Sequence, residues 1–359
     1  MKAAVLHAPN QPLTVEDIDI DDPVGREVLV RTVASGVCHS DLHHVDGLFP
    51  LKMPAVLGHE AAGIVEAVGE QVEEFKPGDH VIACLSAFCG RCDYCLTGRT
   101  NLCPNRPTRA STQTPRLSWD GQPVTQFLNL SAFAEKMLVH ENGLVRIRDD
   151  FPLDRAALIG CSVTTGVGAV LKTAKVETGA SVAVFGLGGV GLNAIQGAVI
   201  ANAGMIVAVD VFENKLAMAR EFGATHVVDA SSKDPVEAIR NLTGDGVDYS
   251  FEAIGLAKTA AQAFNSLRPG GTATVMGMIP AGTMVELDGS LFLRERKIQG
   301  SNMGSNRFKV DMPHYIDLNL KGRLKLDELI TRRGQLEDVN DAFRAMRAGE
   351  VARTLLTFD

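Results

Sequence analysis

The stretch Ser181-Val-Ala-Val-Phe-Gly-Leu-Gly-Gly-Val-Gly191 decides the fold of this 359-residue chain. Ser181–Phe185 is short, apolar and β-branched, which reads as a strand buried on both faces. It runs directly into Gly186, Gly188 and Gly191, and Val190–Ala203 then reads as a helix. In a G-x-G-x-x-G turn the first glycine makes the tight turn and the second lets the backbone approach a pyrophosphate. The third lets helix and strand pack closely, and the pyrophosphate sits on the helix N-terminus. A Gly-rich turn alone is weak evidence. Here Met205–Asp210 reads as the next strand, and Asp210 ends it nineteen positions after Gly191. A carboxylate there accepts hydrogen bonds from ribose hydroxyls and repels a 2′-phosphate, so NAD is expected over NADP. Lys215 is within reach of the ribose or the adenine edge.

The pattern continues outward. Asn214–Phe222 reads as a helix and His226–Asp229 as a strand. Helices are expected at Pro235–Thr243 and Ala257–Leu267, and strands at Val247–Ala253, Thr272–Gly277 and near Lys297–Met303. Strands alternating with helices imply a parallel, doubly wound α/β sheet. The tail from Phe308 carries two amphipathic helices and a closing strand, Arg353–Phe358. The first 150 residues are different. Val28–Val33, Gly63–Val68 and His80–Ala83 are short β-branched runs bounded by Gly, Pro or Asp, so this part reads as β-rich. A Pro-, Thr- and Ser-rich segment between Cys103 and Ser131 reads as a long surface loop or lobe, and it holds the only tryptophan, Trp119.

Composition narrows the function. Hydrophobic residues make up 45%, and the net charge of −8 repels nucleic acid. Residues from Ser181 to Val209 carry no charge, but six glycines and several amides interrupt them, so a buried strand–helix–strand is expected rather than a membrane span. The opening MKAAVLHAPN is too short and mixed for a signal peptide. Seven cysteines, odd in number and clustered, argue for metal thiolates in a reducing cytoplasm rather than a disulfide scaffold.

Those cysteines fall into two sets. Cys89, Cys92, Cys95 and Cys103 follow C-x2-C-x2-C-x7-C, a spacing that can close a tetrahedron around Zn²⁺ and leave no open position. An iron–sulfur cluster is the rival for four thiolates. Cys84 reads as a plain buried thiol. The second set is dispersed: Cys38 in GVCHSD, His59 in GHE, and Cys161 just ahead of the nucleotide region. Two Cys and one His leave a fourth position free, the arrangement of a catalytic zinc.

At these residues the chain resembles the zinc-containing medium-chain dehydrogenase/reductase family of alcohol dehydrogenases. The resemblance spans GVCHSD, GHEAAG, the four-Cys lobe, GLGGVG with Asp210, Phe251–Gly255 and the terminal Arg353–Phe358. It implies a β-rich GroES-like catalytic domain plus a Rossmann-type doubly wound parallel sheet. The implied boundaries are 1–162 for the zinc domain with a structural-zinc lobe at 84–104, 163–302 for the NAD-binding domain, and 303–359 returning to the catalytic domain. The resemblance also implies two Zn²⁺ per subunit. Cys38, His59 and Cys161 would hold the catalytic ion, and Cys89, Cys92, Cys95 and Cys103 the structural one. Asp41 would orient His59, and Glu60 would lie close behind the zinc. Ser40 would hydrogen-bond the substrate oxygen and His43 would pass the proton to solvent. His39, a position where many relatives carry Arg, would contact the pyrophosphate with Arg353, and Thr165 would touch the nicotinamide. Phe49, Leu85, Phe127 and Met278 would line the substrate pocket.

The implied reaction is hydride transfer between an alcohol and NAD, giving the aldehyde or ketone. The apolar pocket points to a medium-sized apolar or aromatic primary alcohol. Relatives that use glutathione-bound formaldehyde carry an acidic residue in place of Phe49, which argues against that subclass. A thiol-adduct formaldehyde dehydrogenase stays as an alternative, and a non-catalytic zinc- and nucleotide-binding redox sensor as another. The expected partner is a small molecule, with no nucleic acid and no membrane. A cytoplasmic homodimer is expected, with a homotetramer as its alternative.

Overall fold

The computed structural model describes residues 1–110 and 113–358. They divide into two compact units: 1–161 with 307–321 and 326–359, and 162–306 with 322–325.

The second unit is the doubly wound sheet. Six strands lie in the order His226–Asp229, Met205–Asp210, Ser181–Phe185, Val247–Glu252, Leu267–Val275, Lys297–Gly300, and every pairing is parallel. The order reverses at Ser181–Phe185, so a crevice opens at the carboxyl end of that strand, where such sheets bind their ligands. The helix Gly189–Ile200 follows it and is buried almost all round, from Gly191 through Ala198. That burial accounts for the uncharged run at 181–209. Phe185, Val207, Val209, Ile239, Phe264 and Leu267 form the core on one face. The strand Leu267–Val275 begins five residues before the expected start, because Leu267 already pairs with Val247 beyond a register shift.

The first unit is built on antiparallel pairing. Its largest sheet runs Leu144–Arg146, His80–Ala83, Glu60–Val68, Glu27–Gly36, Arg353–Thr357, Ile330–Gly334, and Lys136–His140 pairs with Glu27–Gly36. The closing strand therefore returns to the first half of the chain, with Leu355 opposite Gly36. The helix Val339–Arg347 covers this end with Val339, Phe343 and Met346, and Phe343 meets Phe133 edge to face at 6.2 Å.

Two further features depart from the sequence reading. The helical run Leu153–Ala174 was not foreseen. It is the one described helix long and apolar enough to cross a membrane, and 83% of its apolar window is buried inside the protein, which marks it as a core helix. The segment between Cys103 and Ser131, of which residues 111 and 112 lie outside the described residues, is more ordered than a loop. Leu117–Trp119 and Gln122–Pro123 form a hairpin, with Asp120 and Gly121 both at positive φ in its two-residue turn. The hairpin extends onto Asp19–Ile20, and Trp119 packs on His7 at 5.2 Å.

Candidate active site

Cys38 caps the short helix His39–Val45, just past the end of the strand Glu27–Gly36. His59 immediately precedes the neighbouring strand Glu60–Val68. Cys161 sits in a π-helical turn, Ile159–Val163, a widened turn of the kind frequent at functional sites. Three distant segments thus bring two sulfurs and an imidazole nitrogen within 4.8 Å of one another, all buried. Asp41 organises the group. Its Oδ1 accepts from His59 Nδ1 at 2.9 Å and from the Gly58 backbone N–H at 3.1 Å, while Oδ2 accepts from the Cys38 N–H at 3.1 Å. This bond gives Nδ1 the proton and leaves Nε2 as the donor atom for a metal.

The electrostatics suit a cation. A hydrogen bond from Cys161, opposed by burial and helped by the Arg353 charge, holds the Cys38 thiol well below its ordinary range. The same hydrogen bond and burial push Cys161 up. Burial penalises charge on His59, yet the facing Asp41 carboxylate outweighs it and raises the imidazole well above its ordinary value. Two sulfurs sharing one negative charge beside an oriented imidazole form a donor set that fits Zn²⁺, with one coordination position left open.

Arg353, expected at a pyrophosphate, has its guanidinium buried behind this cluster. It donates to the Val37 carbonyl at 3.1 Å and to Cys38 Sγ at 3.7 Å, and lies 3.4 Å from Glu60 Oε2. Sequence reasoning missed this contact, because nothing local links positions 315 residues apart. Ser40 Oγ is 3.7 Å from Cys38 Sγ. His43 is half-buried, which lowers its pKa, and it stacks on Phe49 at 5.8 Å. Phe127 turns its ring edge toward His59 at 5.9 Å and His44 at 4.7 Å. Leu85 is partly buried against a core cluster of the same unit. His39 is exposed, with its ring 6.1 Å from that of His43.

The second cysteine set is also assembled. Cys92 Sγ lies 3.4 Å from Cys95 Sγ and 3.8 Å from Cys103 Sγ, and Cys89 Sγ lies 4.0 Å from Cys95 Sγ. Four sulfurs about 2.3 Å from a shared zinc would stand about 3.8 Å apart. Disulfides need about 2.05 Å, and all seven cysteines are free. Cys84 stands apart, its thiol pushed up to about 11 by burial.

In the sheet unit the three glycines carry separate burdens. A Cβ at Gly186, whose φ is +88°, would meet Ile254 at 2.4 Å, and one at Gly191 would meet the Gly186 carbonyl at 1.8 Å. A Cβ at Gly188 would meet nothing within 4 Å, so open space lies over the helix N-terminus, as an approaching pyrophosphate requires. Asp210 Oδ2 accepts from the Leu187 N–H at 2.7 Å and fixes this turn. Lys215 Nζ stands over the Phe212 ring at 5.0 Å. Thr165 Oγ1 donates to Met303 Sδ at 3.3 Å. Met278, placed by resemblance in the substrate pocket, belongs to this second unit, where its backbone abuts Gly255.

The sequence matches two family profiles, an alcohol dehydrogenase GroES-like domain over residues 25–149 and a zinc-binding dehydrogenase domain over residues 189–318. It is 39% identical to S-(hydroxymethyl)glutathione dehydrogenase of Haemophilus influenzae, over 99% of this chain and 97% of that one. An alcohol dehydrogenase zinc-binding domain protein from Burkholderia ambifaria superposes with a TM-score of 0.94 at 38% identity, covering 100% of this chain and 98% of the other. Benzyl alcohol dehydrogenase from Acinetobacter calcoaceticus gives a TM-score of 0.94 at 33% identity, covering 100% and 99%. With both metal donor sets and the Gly-rich turn in place, the chain belongs to the zinc-containing medium-chain dehydrogenase/reductase family and is an NAD-dependent zinc alcohol dehydrogenase.

Proposed function

We propose that the protein oxidises a medium-sized apolar or aromatic primary alcohol to its aldehyde, and runs the reverse reaction when reducing cofactor is in excess. The observation that carries this reading is the buried Cys38–His59–Cys161 triad with Asp41 behind it, the Phe127 ring set against His59 and the Phe49 ring stacked on His43. Cys38, His59 and Cys161 would hold a zinc ion whose Lewis acidity would lower the pKa of the alcohol hydroxyl. Bound NAD supplies the hydride acceptor. Ser40 would accept a hydrogen bond from the substrate hydroxyl and relay its proton, giving up its own hydroxyl proton as it takes on that of the substrate. His43, which burial keeps neutral, would take up the relayed proton by way of the cofactor ribose and pass it to solvent. Phe49 and Phe127 exclude water and offer aromatic surface to the substrate. The four-Cys lobe holds its zinc for structure alone, because four thiolates leave no open position.

Within the cofactor site the Gly186–Gly191 turn cradles the pyrophosphate and Asp210 favours the ribose of NAD over a 2′-phosphate. Thr165 contacts the nicotinamide, and Lys215 reaches the ribose or adenine edge.

A second reading has its own support. The Haemophilus relative acts on a glutathione adduct by its name, at 39% identity. Phe49 argues against an anionic thiol adduct here, because an aromatic ring supplies no charge partner for one. The deciding experiment follows NADH formation with benzyl, cinnamyl and hexyl alcohols against S-(hydroxymethyl)glutathione, with Cys38→Ser as control. A kcat/KM at least tenfold higher for the aromatic alcohols supports the first reading. A preference for the adduct transfers the assignment to the second.

A further inference from the structure

A cavity of about 520 Å³ opens beside the four-cysteine cluster, walled by Cys89 and by Arg26, Arg91, Arg106, Asn142 and His140. Arg26 precedes the strand Glu27–Gly36, whereas Cys38 follows its other end. Ten extended residues span about 33 Å, so this cavity is separate from the chemistry at Cys38.

Its wall is cationic. Among the described residues no Asp or Glu lines it. Arg26 is paired with Glu141, but among the described residues Arg91 and Arg106 have no ion-pair partner. His140 accepts the Asn142 N–H on Nδ1, so it stands neutral and adds no negative charge. Two arginines without an ion partner therefore line a cavity in the size range of small-molecule sites. Each guanidinium presents a planar fork of donors that matches an oxyanion.

We propose that this cavity binds a small dianion of the phosphate or dicarboxylate class, bridging Arg91 in the cysteine loop to Arg106 and Arg26. The competing explanation is that Arg91 and Arg106 only offset the zinc cluster, since four thiolates around a dication carry two net negative charges. In that case substitution would lower zinc content and leave anion affinity unchanged.

The test uses the zinc-loaded protein saturated with NADH, which blocks anion binding at the Gly-rich turn. Inorganic phosphate and malonate are titrated calorimetrically at constant ionic strength set with sodium chloride. The expected result is saturable binding that weakens at least tenfold in Arg106→Gln, with zinc content and alcohol turnover unchanged, and that disappears in Arg91→Gln with Arg106→Gln. The tighter of the two probes names the class. Heat indistinguishable from the chloride control, or binding undiminished in both variants, overturns the proposal.

Discussion

Arg353 donates a hydrogen bond to Cys38 Sγ from 315 residues away, while the same guanidinium lies 3.4 Å from the Glu60 carboxylate. The closing strand Arg353–Thr357 makes this contact by pairing with the end of Glu27–Gly36. Arg353→Met would remove the cation that lies 3.4 Å from the buried Glu60 carboxylate, at a cost of about 3 kcal/mol. The double variant Arg353→Met with Glu60→Gln removes both charges and should recover much of that loss. Urea denaturation of the zinc-loaded protein measures both. A double variant no more stable than the single one would show that the pair is not what Arg353 provides.

Asp41 serves three donors with two oxygens: His59 Nδ1, the Cys38 N–H and the Gly58 N–H. In Asp41→Asn one oxygen remains, and the amide group opposes a donor. Zinc affinity at the Cys38 site should fall about 10- to 100-fold, the usual effect of removing a partner that orients a metal-binding histidine. Competition with a chromogenic chelator reads this directly, and zinc in the four-Cys lobe should be unaffected.

Glu27 anchors the segment after Cys103. It accepts from Arg109 Nε at 2.9 Å and Nη2 at 2.5 Å, and from Arg116 Nε at 2.7 Å. Burial pushes the carboxyl up, but these guanidinium bonds outweigh it and hold the group below its ordinary 4.5. A depressed folded value means that the stabilisation is complete above about 4.5 and is lost as pH falls through that lower value. Glu27→Gln should be less stable at neutral pH and should show a shallower loss below pH 4.5. Arg109→Gln should expose the 103–131 segment to proteolysis before the rest of the chain unfolds.

His140 titrates in a different window. Burial, helped by the charges of Arg26 and Arg116, lowers it from 6.5 to about 4. The unfolded chain takes up this proton first. Stability is therefore full above about pH 6.5, declines as pH falls toward 4, and is insensitive to this group below that. Protonation also removes Nδ1 as acceptor for the Asn142 N–H. The thermal midpoint of His140→Gln should change less between pH 7 and 5 than that of the parent. Equal slopes would mean that other groups govern the interval.

The parts legible in the sequence share a physical cause. Ser181–Phe185 and Met205–Asp210 lie where expected because interior parallel strands are almost uniformly apolar and end at Gly or Asp, and the edge strand His226–Asp229 follows them in the same alternation with helices. The cysteine lobe was readable because its donors lie within fifteen residues of one another. The Cys38–His59–Cys161 triad was read by combining weak local signals with a resemblance. The helix Leu153–Ala174 was missed because it is buried without a break from Ala156 to Val170 and that stretch shows no periodicity to read. The Asp120–Gly121 hairpin did carry a local signal, a two-residue D-G turn, but lay inside a stretch whose Pro and Thr content suggested a loop. Contacts such as Arg353 with Cys38 have no local signature, since only sheet closure creates them.

The glycines of the dinucleotide turn allow the cofactor reading to be separated from simple folding. Gly191→Ala places a methyl 1.8 Å from the Gly186 carbonyl oxygen. Neither atom belongs to a flexible side chain, so the helix must move off the strand and the second unit should lose stability or fail to fold. Gly188→Ala places its methyl in open space, at φ −73°, which any residue adopts. The variant should fold with an unchanged thermal midpoint. That methyl would occupy the space over the helix N-terminus, so NADH affinity should fall about tenfold or more, equivalent to about 1.4 kcal/mol. Fluorescence titration with NADH, alongside a thermal melt of the same sample, reads both quantities. A stable Gly188→Ala protein that binds NADH as tightly as the parent would place the pyrophosphate elsewhere. A destabilised one would mean that the open space is needed by the fold rather than by the cofactor.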